Sequence, residues 1–312
     1  MSVKDEVLVR LLDKEGAVVS GQALSEELLC SRMSVSKAVK ELCAEGYEIE
    51  AVKGTGYILR PSDILTQAVV SHDFSVPAYF YEETGSTMQE AKALIAQGVE
   101  APFVCVAERQ TGGRGRLGRS FYSPEGGIYF SIVVDGRQVP SPDLLTISAS
   151  LAVANALEAS TGRRADIKWV NDVYVDGLKV TGILTEGIVN MELGGLDKAI
   201  VGIGINLSGD SSKIPQELQG KMGILYPMGQ SPVSRSRLAA AVTDGLLSLQ
   251  GKSFMDDYRR RCFIIGRDIT AHKAGRSREA HAYGVDDNGH LLVRYKDGTE
   301  EALYSGEVTL TF

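Results

Sequence analysis

Gln110-Thr-Gly-Gly-Arg-Gly-Arg-Leu-Gly-Arg119 is the stretch on which the reading of this chain turns. Gly113, Gly115 and Gly118 satisfy the G-x-G-x-x-G expression of a dinucleotide-binding loop. Such a loop must run from a strand into a helix whose N-terminus meets the pyrophosphate. Here the next segment, Phe121-Tyr-Ser-Pro-Glu-Gly-Gly-Ile-Tyr-Phe-Ser-Ile132, leads into a strand, which excludes that fold. A kinase glycine loop does lie between strands, but no H-R-D or D-F-G set follows. What remains is four glycines interleaved with three arginines. The glycines let backbone N–H groups approach a ligand, and the guanidinium groups fork onto carboxylate or phosphate oxygens. A solvated basic turn has the same local composition.

Outward from the loop, strands and helices alternate from about residue 77. Residues 79–83, 103–108 and 127–134 read as strands, 86–97 and 144–161 as helices, the second long and Ala-rich. Further strands are expected at 167–169, 173–175, 180–189 and 199–206, and helices at 238–249 and 254–261. Lys168 ends an apolar strand beside the only Trp, where a cation can neutralise charge on a phosphorus-centred transition state. Read alone it is also an ordinary surface lysine, just as Lys179 and Gly182 are ordinary hairpin residues. Gly202 and Gly204 alternate in one strand, so something packs against that backbone, either a helix or a ligand.

The two ends differ from this middle. Residues 1–62 show three short helical patterns, the second opening at Ser20 and the third spanning 35–44, then strands at 47–52 and 57–60 around Lys53-Gly-Thr-Gly56. That order is a winged helix-turn-helix. Pro61-Ser-Asp-Ile-Leu65 reads as a linker into a short helix, and 63–264 as a central α/β domain. Residues 265–312 hold short strands split by Asp-Asn-Gly and Asp-Gly turns, a small β-barrel. The whole is an α+β chain of three modules.

Composition narrows the partners. With 33 Lys and Arg against 40 Asp and Glu, the net charge of −7 excludes coating of nucleic acid or anionic membrane by bulk charge. No transmembrane run is expected, the N-terminal Met1-Ser-Val-Lys-Asp-Glu6 carries charge where a signal peptide is apolar, and the four cysteines form no CxxC. A reduced, soluble, cytoplasmic protein without a metal site is the expectation.

Ser86-Thr87, the arginine-glycine loop, Lys168-Trp-Val-Asn-Asp172, Lys179-Val-Thr-Gly-Ile-Leu-Thr-Glu186 and Gly202-Ile-Gly-Ile-Asn-Leu207 together resemble the biotin protein ligase family. With the N-terminal winged helix, the resemblance is to the bacterial branch that joins biotin ligase to biotin-operon repressor. It implies a class II synthetase-like catalytic domain and an SH3-like C-terminal barrel. It implies activation of biotin with Mg-ATP to biotinyl-5′-AMP, Mg²⁺ arriving with the nucleotide. Biotin then passes to a lysine of the biotin carboxyl carrier protein domain of acetyl-CoA carboxylase. Carried over by motif, Ser86, Thr87, Gln110, Arg114, Gly115, Arg116, Lys168, Gly182 and Gly204 would contact biotin. Arg114, Arg116, Arg119, Phe121, Lys168, Asn171 and Asn206 would face ATP or the adenylate, with Lys168 and Arg116 catalytic. Two positions depart from the family pattern: Met88 replaces Asn, and Val170 replaces Pro. Neither removes a charge, though proline would have fixed φ beside Lys168.

The same resemblance implies operator DNA as partner, biotinyl-5′-AMP as corepressor and a ligand-promoted homodimer. Residues 1–60 carry eight Lys and Arg against ten Asp and Glu, too acidic for strong non-specific binding. The cations nevertheless cluster: Arg32, Lys37 and Lys40 flank the third helix, with Ser34 and Ser36 at its N-terminal end and Lys53 on the wing. These six are the expected DNA contacts. Two other functions compete. One is a biotin-sensing repressor without ligation, against which the intact arginine loop and Lys168 count. The other is a lipoate or octanoate ligase, whose substrates lack a ureido group and would leave Ser86, Thr87 and Gln110 unpaired.

Overall fold

The computed structural model describes residues 2–139, 141–190, 195–273, 276–304 and 307–310. In the first module, α1 (Val3–Leu12), α2 (Gly21–Glu27) and α3 (Arg32–Ala44) precede a hairpin of β1 (Ile49–Val52) and β2 (Gly56–Leu59). Ser2, Ser20 and Ser31 each accept a first-turn amide, which fixes where the helices begin. The Ser31 cap starts α3 three residues before the expected Val35, so Arg32 lies within the helix. Leu8, Leu11, Leu24, Val35 and Leu42 meet in a small core beneath these helices.

The helix α4 (Gln67–Asp73) joins the modules. Ala68 and Val69 pack into the winged-helix core, and Val70 into the central core. The central domain then runs through β3 (Ala78–Thr84), α5 (Thr87–Ala96), β4 (Phe103–Gln110), β5 (Ile128–Asp135) and α6 (Pro142–Thr161). It continues with β6 (Ala165–Lys168), β7 (Asp172–Val175), β8 (Leu178–Asn190) and β9 (Gly195–Ile205). These strands form one sheet of order β3-β4-β5-β9-β8-β7-β6, in which only β3–β4 is parallel because α5 crosses between them.

Strand alternation decides what each face meets. Ile183, Val201 and Ile203 join Ile147 and Leu151 of α6 in the main core. Burying each such side chain contributes about 1.5–3 kcal/mol. Residues of opposite parity face α5, where Met88 and Ala91 pack on Cys105, Val133 and Ile200. The helix α6 is long and apolar enough to cross a membrane, a character the chain was not expected to contain, but 61% of its apolar window is buried inside the fold. Two short strands, β10 (Ser208–Gly209) and β11 (Tyr226–Pro227), pair beyond β9, and α7 (Arg235–Leu249) and α8 (Met255–Arg261) complete the domain.

The C-terminal module comprises β12 (Arg267–Lys273), β13 (Arg276–Val285), β14 (Leu291–Tyr295), β15 (Glu300–Leu303) and β16 (Glu307–Leu310). They form an antiparallel sheet of order β15-β14-β13-β12-β16. Trp169 Nε1 donates to the Gly289 carbonyl at 2.9 Å, docking this module beside the Lys168 strand.

Candidate active site

A cleft of about 1130 Å³ opens on the α5 side of the sheet. Its floor is backbone. Gly182 and Gly204 are register partners in β8 and β9. A Cβ built on Gly204 would lie 2.3 Å from the Phe121 ring, and one on Gly182 would lie 2.8 Å from it. Gly202 faces Met88 in the same way, its Cβ position 2.7 Å from Sδ. The alternating glycines therefore admit an aromatic side chain from the arginine-glycine loop and a methionine from α5. Met88, the departure from the family pattern, is thus part of the cleft wall.

One end of the cleft is polar and buried. Ser86 caps α5 through the Met88 amide at 3.3 Å. The Thr87 amide and hydroxyl donate to Gln110 Oε1 at 2.9 and 3.2 Å. Thr87 Oγ1 also lies 2.8 Å from Ser131 Oγ, itself fully buried. With Oε1 committed to Thr87, the amide nitrogen of Gln110 is the group left to meet a ligand carbonyl.

The other end collects charge. The loop folds back on itself: Gly115 N–H donates to the Arg119 carbonyl at 2.8 Å, and Phe121 N–H to that of Gly113 at 2.9 Å. A 3₁₀ turn spans Arg116–Gly118, with Gly118 at φ +74°. Arg116 Nη1 donates to Asn171 Oδ1 at 3.3 Å, and Asn171 Nδ2 donates to the Ile183 carbonyl at 2.8 Å. Both ends of that amide are used, so Asn171 holds Arg116. Asp172 lies opposite Lys168 in β6 and opposite Gly182 in β8, and its Oδ1 is 2.7 Å from Lys179 Nζ. Burial, then the Asp172 charge, pushes the Tyr174 phenol up to about 12, so it stays protonated as a cleft wall.

The cleft brings together Ser86, Thr87, Gln110, Arg114, Gly115, Arg116, Arg119, Phe121, Lys168, Asn171, Gly182 and Gly204. Asn206 is not among its walls. Its backbone bonds Val180 and Leu225, and its Oδ1 is buried without a hydrogen-bond partner. Sequence reasoning missed Ser131, whose signal was a lone hydroxyl in an apolar strand. It left Lys179 as an ordinary hairpin residue, whereas the cleft includes it. Lys221, Arg267 and His272 also line the cleft, brought there by a loop and by the C-terminal module. Tyr122 Oη, donating to the Lys213 carbonyl at 3.0 Å, links the arginine-glycine loop to the loop that carries Lys221.

On the winged helix, Arg32, Lys37, Lys40 and Lys53 are exposed, while Ser34 and Ser36 are half-buried. Ser34 is partly committed to the cap through its amide and hydroxyl on Ser31 Oγ at 3.0 and 2.9 Å. Arg32 reaches Gln22 at 3.3 Å and Lys37 lies 3.7 Å from Glu41.

Models of known families match all three modules. The biotin/lipoate A/B protein ligase family matches residues 80–206, an HTH domain residues 4–58, and the biotin protein ligase C-terminal domain residues 264–310. The structure of the biotin protein ligase of Aquifex aeolicus in complex with biotin and ATP is similar at 28% identity and a TM-score of 0.63. It covers 75% of this chain and 98% of that one. Fold and cleft thus define a biotin/lipoate-ligase catalytic domain carrying a helix-turn-helix module. The bifunctional ligase/repressor BirA of Bacillus spizizenii is 31% identical over 97% of both chains, and this chain belongs to that bifunctional ligase/repressor family. The biotin–[acetyl-CoA-carboxylase] ligase of Paracoccus denitrificans is 30% identical, over 70% of this chain and 94% of its own.

Proposed function

We propose that this protein is a biotin protein ligase and a biotin-responsive DNA-binding repressor. The observation that carries the reading is one cleft with a buried hydroxyl–amide cluster at one end and fixed cations at the other. The bicyclic ureido head of biotin suits the Ser86, Thr87 and Gln110 end, where a carbonyl and two N–H groups find partners. Its carboxylate then reaches the cationic end. There a carboxylate oxygen attacks the α-phosphorus of ATP, a mixed anhydride forms and pyrophosphate leaves. Two anions must approach, so the step depends on cations and positioning more than on a general base. Lys168, Lys179 and Arg116 neutralise that charge. Arg114 and Arg119, with Phe121 seated on Gly182 and Gly204, close the loop over the adenylate. Asn171 acts by holding Arg116, and Asn206 supports the strand end behind the nucleotide. Mg²⁺ enters as part of the nucleotide substrate. In the second step the neutral amine of a carrier-protein lysine attacks the biotinyl carbonyl carbon and AMP leaves.

Arg32, Ser34, Ser36, Lys37, Lys40 and Lys53 contact operator DNA. A homodimer spanning two half-sites compensates for the weak charge of one winged helix. Biotinyl-5′-AMP favours that dimer by binding it more tightly than the monomer. The HTH-domain match at residues 4–58 supports assigning repression to the N-terminal module.

The test is ATP–pyrophosphate exchange with biotin, lipoate and octanoate in parallel. Biotin-dependent exchange, lost in a folded Lys168→Ala variant, is the expected result. Exchange with lipoate alone would replace the substrate assignment, and no exchange with any acid would leave a ligand-sensing repressor.

A further inference from the structure

Arg235, the first residue of α7, is only 6% exposed, and its side chain joins the linker segment to the central domain. Its amide donates to Asp63 Oδ1 at 2.8 Å, its Nε to Asp63 Oδ2 at 2.8 Å and its Nη2 to the Asp63 carbonyl at 2.9 Å. Its Nη1 donates to Glu108 Oε1 at 2.7 Å and to the Gly127 carbonyl at 3.4 Å.

Those partners are not scattered. Asp63 lies between β2 and α4, and the next two residues divide between cores: Ile64 packs with the winged helix and Leu65 with the central domain. Glu108 lies in β4 two residues before Gln110. Gly127 immediately precedes β5. Residues 111–126, which hold the arginines, therefore have both feet on one buried guanidinium. Arg237, in the same helical turn, reaches Glu15 behind α1 at 2.8 Å. A buried guanidinium is well placed only while all its acceptors stay in position, because leaving one charge unpaired costs far more than an exposed pair contributes.

We propose that Arg235 is a positioning residue that ties both feet of the arginine-glycine loop to the segment joining the winged helix, so that loop order and the seating of the DNA-binding module change together. The inference deepens the ligase and repressor reading and rests on it. It makes Asp63, remote from substrate, a determinant of biotin affinity.

The experiment uses the full-length chain, with Asp63→Asn as the mild variant and Arg235→Lys as the one that keeps charge but loses the fork. Tryptic cleavage after Arg114, Arg116 and Arg119 is followed with and without biotin plus ATP, with cleavage after Arg276 and Arg278 as internal reference. In Asp63→Asn the loop should be cut about fivefold faster without ligand, at an unchanged reference rate, since a charged hydrogen bond is lost. In exchange assays KM for biotin should rise by a similar factor with kcat within about twofold. Arg235→Lys should share this pattern, and Glu108→Gln combined with Asp63→Asn should fall short of the product of the single effects. If Asp63→Asn lowers the thermal midpoint but leaves loop cleavage and KM unchanged, Arg235 is a structural staple and the proposal is wrong. Absence of exchange in the wild type would instead overturn the ligase reading, while cleavage of the unliganded variants would still decide the tie.

Discussion

The two cationic regions of this molecule are built in opposite ways. In the cleft Arg116 is anchored by an amide that is itself anchored, and Lys179 by Asp172. On α3, Arg32, Lys37 and Lys40 stand in solvent, with no more than a 3.3 Å contact to Gln22 and a 3.7 Å ion pair among the described residues. The proposed partners account for the difference. A developing phosphorane needs charge at fixed points, because reorganising it during reaction raises the barrier. A DNA backbone offers many equivalent phosphates, so mobile cations serve and salt competes with them. The comparison also explains how a chain of net charge −7 handles two anions. Its acids are used locally to place cations, not to repel ligands.

The comparison breaks most sharply at Lys179. Replacing it with alanine should lower kcat for biotin-dependent exchange by about a hundredfold or more, the size expected when a preorganised charge is removed from a transition state. A loss within threefold would return Lys179 to the role of a hairpin residue. The next largest effect is expected at the glycine floor. Gly204→Val places carbon where the Phe121 ring sits, so the loop must lift. Exchange should drop by roughly tenfold to a hundredfold, because angstrom-scale misplacement is enough, while circular dichroism shows the sheet intact. Asn171→Ala is the subtler cut. It leaves Arg116 charged but unheld, and about a tenfold loss in kcat/KM is expected from one charge-assisted hydrogen bond. An Asn171→Ala enzyme with wild-type kcat/KM would show that anchoring is not what distinguishes the cleft.

The legible part of this molecule was the part written in local patterns. The refusal of the glycine loop to lead into a helix, the alternation through Gly202 and Gly204, and the serine-headed helices of the first module all depend on neighbours in the chain. Even there α3 began earlier than apolar periodicity indicated, because a cap, not a hydrophobic stripe, sets a helix start. The illegible part is long-range. The Asp172 pairing of Lys179 depends on the β7–β8 register, which contains a bulge. Ser131 meets Thr87 only because β5 passes behind α5. Arg267 and His272 reach the cleft through docking of a separate module, for which sequence carries no local sign. Asn206 shows a further long-range effect: its neighbour Gly204 is in the floor, but the strand ends between them and turns its backbone toward Leu225.

The smallest effect belongs to the exposed region, and it has a signature that the cleft variants lack. Lys37→Ala removes one solvent-facing cation whose ion pair to Glu41 contributes little. Operator binding, measured on duplex selected from a random library by the full-length protein with biotin and ATP, should weaken by only about threefold near 0.1 M salt. The slope of log affinity against log salt should fall by about one, and the loss should be uniform across selected sequences. Ser34→Ala should differ in kind: it removes a hydroxyl at the end of α3 proposed to meet base edges, so its effect should vary with sequence and leave the salt slope intact. Exchange activity should be unaffected by either. If Lys37→Ala instead leaves the slope unchanged, its ammonium does not meet a phosphate, and the mobile cations of α3 face something other than the DNA backbone.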